Sequence, residues 1–141
     1  MGLLLDTMVT SELRRARHRG ADPAFAAWAA SVNLSQAFVS VITIHEMHRG
    51  VLLTQRKDPA QGAIYRAWLH DLIDAFGDRV LDLTLDASML AAEFHVPDPA
   101  PLADAFIAAT ARTHHLTVAT RNTGHFTRFA VPLINPWDTK S

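Results

Sequence analysis

Three acidic side chains lie where one edge of a parallel sheet could bring them together. Asp6 directly follows an apolar run, Glu46 lies one turn into a helix expected after a second strand, and Asp104 lies in the first turn of a later helix. Ligands of open parallel sheets bind beyond the carboxyl ends of the strands. If the three carboxylates converge there, their repulsion favours a hard divalent cation, Mg²⁺ or Mn²⁺, which prefers oxygen ligands.

Each acid also has a structural interpretation. Asp6 could cap the helix that follows it, and Glu46 could form a capping box with Thr43. Asp104 lies among apolar residues, where an unpartnered charge is costly, so it is the strongest of the three indications of chemistry. Asp98, in a proline-rich segment, is expected to be a solvated loop acid.

Composition excludes several other kinds of chemistry. The 141 residues contain no cysteine, which removes thiol nucleophiles, disulfides and thiolate zinc sites. Residues 45–48 do not form the zincin motif, because its second histidine would fall on Arg49. With 13 Lys+Arg against 14 Asp+Glu, the chain does not bind nucleic acid by bulk positive charge.

Length and hydropathy predict one globular domain over residues 1–141, since single domains run to roughly 100–200 residues. No apolar stretch approaches the roughly 18 residues of a membrane span. Asp6 interrupts the opening leucines before they could act as a signal sequence. We therefore expect a soluble, cytoplasmic protein with no membrane partner.

Short apolar strands alternate with longer helical patterns, which is typical of an α/β fold whose mainly parallel sheet is covered on both faces. The expected strands are residues 3–5, 38–42, 80–83, 116–119 and, at an edge, 131–134. Expected helices cover residues 7–17, a short stretch after Asp22-Pro23, a segment from Thr43, 58–76, a segment from Asp86, and 102–114, with a loop at 96–101. Helical spacing within 58–76 predicts a buried stripe of Ile64, Tyr65, Trp68, Leu69, Leu72, Ile73 and Phe76.

Five sequence blocks occur in the order that one known family shows. They are LLDT at 4–7 with SEL at 11–13, SVITIHE at 40–46, ADAFIAATA at 103–111, TRN at 120–122 and NPW at 135–137. The blocks closely resemble the PIN-domain ribonucleases, and in particular the VapC toxins of VapBC toxin–antitoxin systems. The resemblance implies a PIN-like three-layer α/β/α sandwich with a central, mainly parallel sheet.

The resemblance also implies a metal-dependent endoribonuclease. In it, Asp6, Glu46 and Asp104 are the catalytic residues and hold Mg²⁺ or Mn²⁺, which activates a water for attack on RNA. No side chain acts as a covalent nucleophile, and the products carry a 5′-phosphate and a 3′-hydroxyl. Supporting residues around the acids are implied at Thr7, Thr120 and Asn122, although turn formation alone would explain Asn122.

Two residues depart from the family pattern. Met8 replaces the usual Asn, and His125 replaces a fourth acid before Phe126. A histidine can ligate Mn²⁺ or contact phosphate, but it cannot supply the missing negative charge. We therefore expect His125 to weaken or retune metal binding, with His125 or Asn122 as additional ligands; the alternative is that His125 is a tolerated loop residue.

Arginine clusters are candidates for phosphate contact, because a guanidinium can pair bidentately with phosphate. The expected RNA contacts are Arg14, Arg15 and Arg121. Arg14 and Arg15 belong to a dense run that also includes Arg17, His18 and Arg19. Arg121 belongs to a looser group with Arg112, His114, His115 and Arg128. Such runs are more often solvated helix faces.

As partners the resemblance implies a VapB-like cognate antitoxin that inserts a basic side chain into the acidic site, an RNA substrate, and a second copy in a homodimer. Two other functions fit the residues. Met8 and His125 suit a catalytically impaired PIN-fold module that binds RNA or a partner. A phosphohydrolase with Asp6 as nucleophile is the weaker alternative, because it would want a second Asp at position 8.

Overall fold

A computed structural model describes residues 2–16, 20 and 22–138. Five strands form one parallel sheet in the order β3-β2-β1-β4-β5. The strands are β1 (Leu3–Leu5), β2 (Ala37–Ser40), β3 (Val80–Leu81), β4 (Thr117–Ala119) and β5 (Leu133–Ile134). The helices are α1 (Thr7–Ala16), α2 (Pro23–Ser31), α3 (Val41–Lys57), α4 (Pro59–Phe76), α5 (Leu85–Glu93), α6 (Leu102–Thr113) and α7 (Thr123–Phe126). Short 3₁₀ turns cover Leu34–Gln36, Gly77–Arg79 and Thr127–Phe129.

The sheet separates two apolar layers, because successive side chains of a strand point to opposite faces. Leu3 and Leu5 of β1 pack into the core shared with α1, α2, α3 and α4, whereas Leu4 packs with Ile107 and Ala108 of α6. Helix α5 packs against α6 through alanines, including Ala91 and Ala105. The predicted three-layer α/β/α arrangement with a parallel sheet is therefore confirmed.

The strand register positions the carboxyl edge of the sheet. Leu5 of β1 lies opposite Val39 of β2 and Ala119 of β4. The residues that follow these three, Asp6, Ser40 and Thr120, therefore emerge side by side where the strands end. The last strand is an edge strand, as predicted, with Pro132 just before it.

The predictions for the end of β2 and for the buried face of α4 are wrong. Strand β2 ends at Ser40, whose hydroxyl accepts the Ile42 N–H at 3.0 Å and starts α3 two residues earlier than expected. On α4, Ile64 and Ile73 lie outside the core, with Ile64 59% exposed, because the buried face runs through Leu69, Leu72 and Phe76.

Helices α3 and α4 form a tight antiparallel hairpin. A Cβ at Gly62 would lie 2.5 Å from Gln55 Cγ and 2.6 Å from Gln55 Cα, so only glycine permits this approach. Helix α3 also contacts α1, which begins at Thr7, directly after Asp6 at the carboxyl edge of the sheet. None of the helices in the described part of the chain is long and apolar enough to cross a membrane.

Candidate active site

Asp6 leaves β1 at the carboxyl edge of the sheet and is buried. Its backbone N–H donates to Ala119 O at 3.1 Å, and its Oδ1 accepts the Val9 N–H at 2.9 Å, which caps α1. The Thr120 hydroxyl, which follows β4, also donates to the carboxylate. Asp6 is thus a helix cap, as its structural interpretation predicted, and its carboxylate is held rigidly at the end of the central strand.

Glu46 reaches the same edge from α3. Its Oε1 accepts a hydrogen bond of 2.6 Å from the Thr7 hydroxyl at the start of α1, and Thr43 Oγ1 lies 3.2 Å from that hydroxyl. The capping box predicted between Thr43 and Glu46 does not form, because Ser40 caps the helix instead. The Glu46 carboxylate is therefore directed away from its own helix end and toward the residues that follow β1.

Asp104 enters from the opposite layer, in the first turn of α6. Its carboxylate is half-buried, and its Oδ2 lies 3.8 Å from Nδ1 of His125, whose side chain is 62% exposed. Among the ion pairs of the described residues, His125 is the single positively chargeable partner of the three acids. No arginine or lysine of residues 2–16, 20 and 22–138 forms an ion pair with these three acids.

The pKa values report the same crowding. Burial is the largest cause that raises the pKa of Asp6, and the charges of Asp104 and Glu46 raise it further. Hydrogen bonds from Thr120 and Val9 lower it. Burial is also the largest cause that raises the pKa of Asp104. His125 lowers this pKa, and the charge of Glu46 raises it. The charges of Glu46 and Asp104 thus reach Asp6 at the carboxyl edge of the sheet, and the charge of Glu46 reaches Asp104.

The donor set suits a hard cation, since it consists of carboxylate oxygens whose charge is uncompensated. Among residues 2–16, 20 and 22–138, no three His, Asp or Glu side chains already form a closed ligand cluster. The negative charge of these acids thus favours a cation, whereas their arrangement within the described residues is not that of a metal-binding cluster.

The loop after β4 lies beside these acids. The Asn122 backbone N–H donates to the Thr120 hydroxyl at 3.0 Å, so Thr120 links this loop to Asp6. The Asn122 side chain is exposed and makes no capping hydrogen bond to the short helix α7 that follows. Met8, the other departure from the family pattern, is 43% exposed on α1.

The predicted arginines differ in what they contact. The Arg14 guanidinium stacks over the Tyr65 ring at 4.3 Å, and that of Arg121 lies over the Trp137 ring at 5.0 Å, while Arg15 is exposed. Arg128 donates to backbone carbonyls of the loop before α6, so it holds the chain rather than facing a ligand. Arg17, His18 and Arg19 lie outside the described residues.

Sequence reasoning missed a cavity of about 240 Å³ that adjoins the acids. We call it the Glu46 cavity; Thr7 and Glu46 line one side, and Arg14, Gly50, Tyr65 and Trp68 line others. Its walls come from α1, α3 and α4, which are distant in sequence. No local motif could have revealed it, because the pairing of helices that creates it is a tertiary feature.

Comparison with known proteins relates this geometry to others. Residues 3–132 match the family model of the PIN domain. Toxin FitB of Neisseria gonorrhoeae is 34% identical over 143 residues, covering 96% of this chain and 98% of FitB. VapC ribonuclease Y4jK of Sinorhizobium fredii is 33% identical over 142 residues, covering 96% and 98%. The crystal structure of FitAcB from Neisseria gonorrhoeae matches with a TM-score of 0.85 and 32% identity, over 96% of this chain and 98% of that one.

Proposed function

Because this chain belongs to the PIN domain family, we propose that it is a Mg²⁺- or Mn²⁺-dependent endoribonuclease that acts as the toxin of a toxin–antitoxin module. The similarity to proteins named a toxin and a VapC ribonuclease supports the activity. The observation that carries the metal dependence is the site itself, where the charges of neighbouring acids raise the pKa of Asp6 and of Asp104 in addition to burial, and no lysine or arginine among the described residues forms an ion pair with these acids.

Each acid would hold the cation from a differently supported position. Asp6 is fixed by Val9 and Thr120, and Glu46 is oriented by Thr7, so two of the three ligands lose little freedom on binding. Asp104 is less enclosed and stands beside His125. A divalent cation bound there would lower the pKa of a water molecule that it holds and would stabilise the negative charge that develops on the phosphate. Thr120 opposes the raised pKa of Asp6, because a hydrogen bond to a carboxylate favours its charged form. Thr7 holds the Glu46 carboxylate in position.

Positive side chains at the rim are proposed to take the RNA backbone. Arg14, Arg15 and Arg121 form no hydrogen bond or ion pair within the part of the chain that the structure describes, so their donors are available for phosphate. Asn122, exposed in the loop after β4, is proposed to support the site through its amide.

The proposed partner is a small cognate antitoxin. A second, apolar groove of about 380 Å³ between α1, α2 and α4, lined by Leu13, Leu72 and Phe76 among others, would accept an apolar helix face. A basic side chain of the same partner would neutralise the acids. The proposed module acts on RNA in the cytoplasm, as a homodimer.

His125 supports one alternative, a PIN-fold module with impaired catalysis. It stands beside Asp104 where the family pattern has an acid, so it lowers the negative charge available to a cation. RNA binding without cleavage by the parent, together with cleavage by His125→Asp, would favour this alternative.

The test is controlled expression of the parent and of Asp6→Asn in a bacterial host, followed by growth and RNA integrity. Asparagine keeps an oxygen that can accept the Val9 N–H, so the variant should fold while its site loses a charge. Toxicity and RNA cleavage are expected to disappear together. Equal toxicity from both proteins would contradict the proposed function.

A further inference from the structure

The Glu46 cavity opens between α1, α3 and α4 and shares Thr7 and Glu46 with the acidic site. Any ligand group seated in it therefore lies next to the carboxylates. The opposite walls are aromatic and apolar, with Tyr65 and Trp68 contributed by α4. At about 240 Å³ the cavity has room for a single ring system rather than for an extended segment.

Arg14 gives the cavity a planar cationic wall. Its guanidinium stacks on Tyr65 at 4.3 Å, and the face of a guanidinium is a surface on which RNA bases stack. Within the described residues its side chain makes no hydrogen bond or ion pair, although Glu46 lines the same cavity. The hydroxyls of Ser11 and Thr54 add hydrogen-bonding groups beside it.

Gly50 keeps one wall of the cavity open. It lies inside α3, where glycine is less favourable than alanine. A Cβ at Gly50 would meet no atom within 4 Å, so packing does not require glycine there, in contrast to Gly62. Gly50 is exposed and lines the cavity, so a larger side chain can be introduced at this wall without displacing packed atoms.

We propose that the Glu46 cavity binds one unpaired nucleobase of the RNA, at a nucleotide flanking the phosphate on which the acids act. The inference rests on the proposed ribonuclease function and adds to it a source of sequence preference. An aliphatic side chain from a protein partner would fit the apolar wall but would leave the guanidinium of Arg14 unpaired. A heterocyclic base stacks on the planar groups and presents polar edges to the hydroxyls.

The experiment combines protein variants, one of which fills the cavity, with RNAs that lack one base. A single-stranded RNA with one mapped cleavage site is made in versions that are abasic at each flanking nucleotide. The proteins are the parent, Gly50→Leu, which fills the cavity, and Ala67→Leu, which adds the same side chain at an exposed position of α4 outside the cavity. Arg14→Lys is a second variant, because it keeps the charge and removes the planar group.

For the parent, an abasic residue at one flanking position is expected to lower kcat/KM on the order of tenfold, the scale of a lost stacking contact. Gly50→Leu should show a similar loss on the intact RNA and should equal the parent on that abasic RNA. Arg14→Lys should lose more on the intact RNA than on the abasic RNA, because only the intact RNA offers a base to stack on the guanidinium. Ala67→Leu should match the parent on both. A loss of equal size on intact and abasic RNA would overturn the base subsite and leave the ribonuclease function standing.

Binding of the same RNAs, measured by fluorescence anisotropy without divalent cation, separates the two proposals. If the parent cleaves no RNA but binds the intact strand more tightly, and Gly50→Leu removes that difference, the base subsite stands and the ribonuclease function fails. Binding that does not depend on the base overturns the subsite. Unchanged RNA binding by Gly50→Leu with weakened binding of an antitoxin would assign the cavity to a protein and overturn it also.

Discussion

The Asp6 carboxylate serves two purposes, since it caps α1 through the Val9 N–H and faces Glu46 and Asp104. The two roles depend on different properties. The cap needs an oxygen that accepts a hydrogen bond, and the proposed chemistry needs a negative charge. Substitutions at this one position can therefore separate folding from activity.

Asp6→Asn is expected to lose more than about 100-fold in RNA cleavage, the scale of removing one preorganised electrostatic group, while it keeps the cap and is at least as stable as the cation-free parent, because the buried charge is gone. Asp6→Ala should lose the same activity and about 1 kcal/mol of stability, because the cap is gone. Denaturant unfolding and initial cleavage rates measure both. An active Asp6→Asn, or one as unstable as Asp6→Ala, would contradict the assignment.

Burial, as the largest cause, raises the pKa of Asp6 and of Asp104 above the ordinary 3.8. A raised folded-state pKa means that the contribution of each group to stability is fully present below its unfolded value and is lost as pH rises through the folded value. Ionising these carboxylates in the cation-free protein therefore costs stability, and a bound divalent cation would offset that cost.

We therefore expect Mg²⁺ or Mn²⁺ to raise the Tm at pH 7 and to raise it less near pH 4, where protonation competes with the cation. Thermal unfolding with and without cation measures this, and Asp104→Asn should show a smaller cation effect at pH 7. The same Tm increase at both pH values, or an undiminished one in Asp104→Asn, would show that the cation binds elsewhere.

His125 opposes the raised pKa of Asp104 from a distance of 3.8 Å. His125→Asp replaces the imidazole beside Asp104 with a fourth carboxylate. Divalent cations should therefore bind on the order of tenfold more tightly, which is about 1.4 kcal/mol of binding free energy. Calorimetric titration of Mg²⁺ and Mn²⁺ into the parent, His125→Asp and His125→Asn measures it, with the asparagine variant as the uncharged control. Equal affinities in all three proteins would mean that His125 has no influence on the metal site.

At the scale of elements, the site depends on how α6 is attached to the rest of the fold. Arg128 follows α7 and donates to the carbonyls of Phe94 at 2.9 Å, Asp98 at 2.6 Å and Pro99 at 3.2 Å. His95 Nδ1 accepts the Ala100 N–H in the same loop. The loop leads directly into α6, so these bonds tie the start of the helix that carries Asp104 to the segment that carries His125.

Arg128→Ala is expected to lower the free energy of unfolding by about 1–3 kcal/mol, because three carbonyls lose a charged donor, and to speed amide exchange over residues 94–104. Arg66→Ala is the matched control, since Arg66 is an exposed arginine that bonds only the Gln55 side chain among the described residues, at 2.7 Å. It should cost less than about 1 kcal/mol. Equal effects of the two substitutions would remove the proposed link between this loop and Asp104.

At the scale of the whole molecule, the alternating pattern of strands and helices was sufficient to predict the parallel sheet and its two covering layers. The position of Asp6 at a strand end was also predictable, because β1 is a short apolar run that this residue directly follows. The site roles of Asp6, Glu46 and Asp104 stay predictions. The Glu46 cavity and the Thr7 contact to Glu46 were not predictable, since both depend on how α1 packs against the α3–α4 hairpin. The capping box failed for a local reason, because Ser40 competed with Thr43 for the same helix end.

The central claim is that Asp6, Glu46 and Asp104 hold a divalent cation with which the protein hydrolyses RNA. The most direct measurement is cleavage of a 5′-labelled single-stranded RNA by the purified parent and by Asp104→Asn, with Mg²⁺ or Mn²⁺ and with EDTA. We expect cation-dependent cleavage by the parent, products that carry a 5′-phosphate, and a loss of more than about 100-fold in Asp104→Asn. Cleavage that persists in EDTA, or that Asp104→Asn retains, would contradict it.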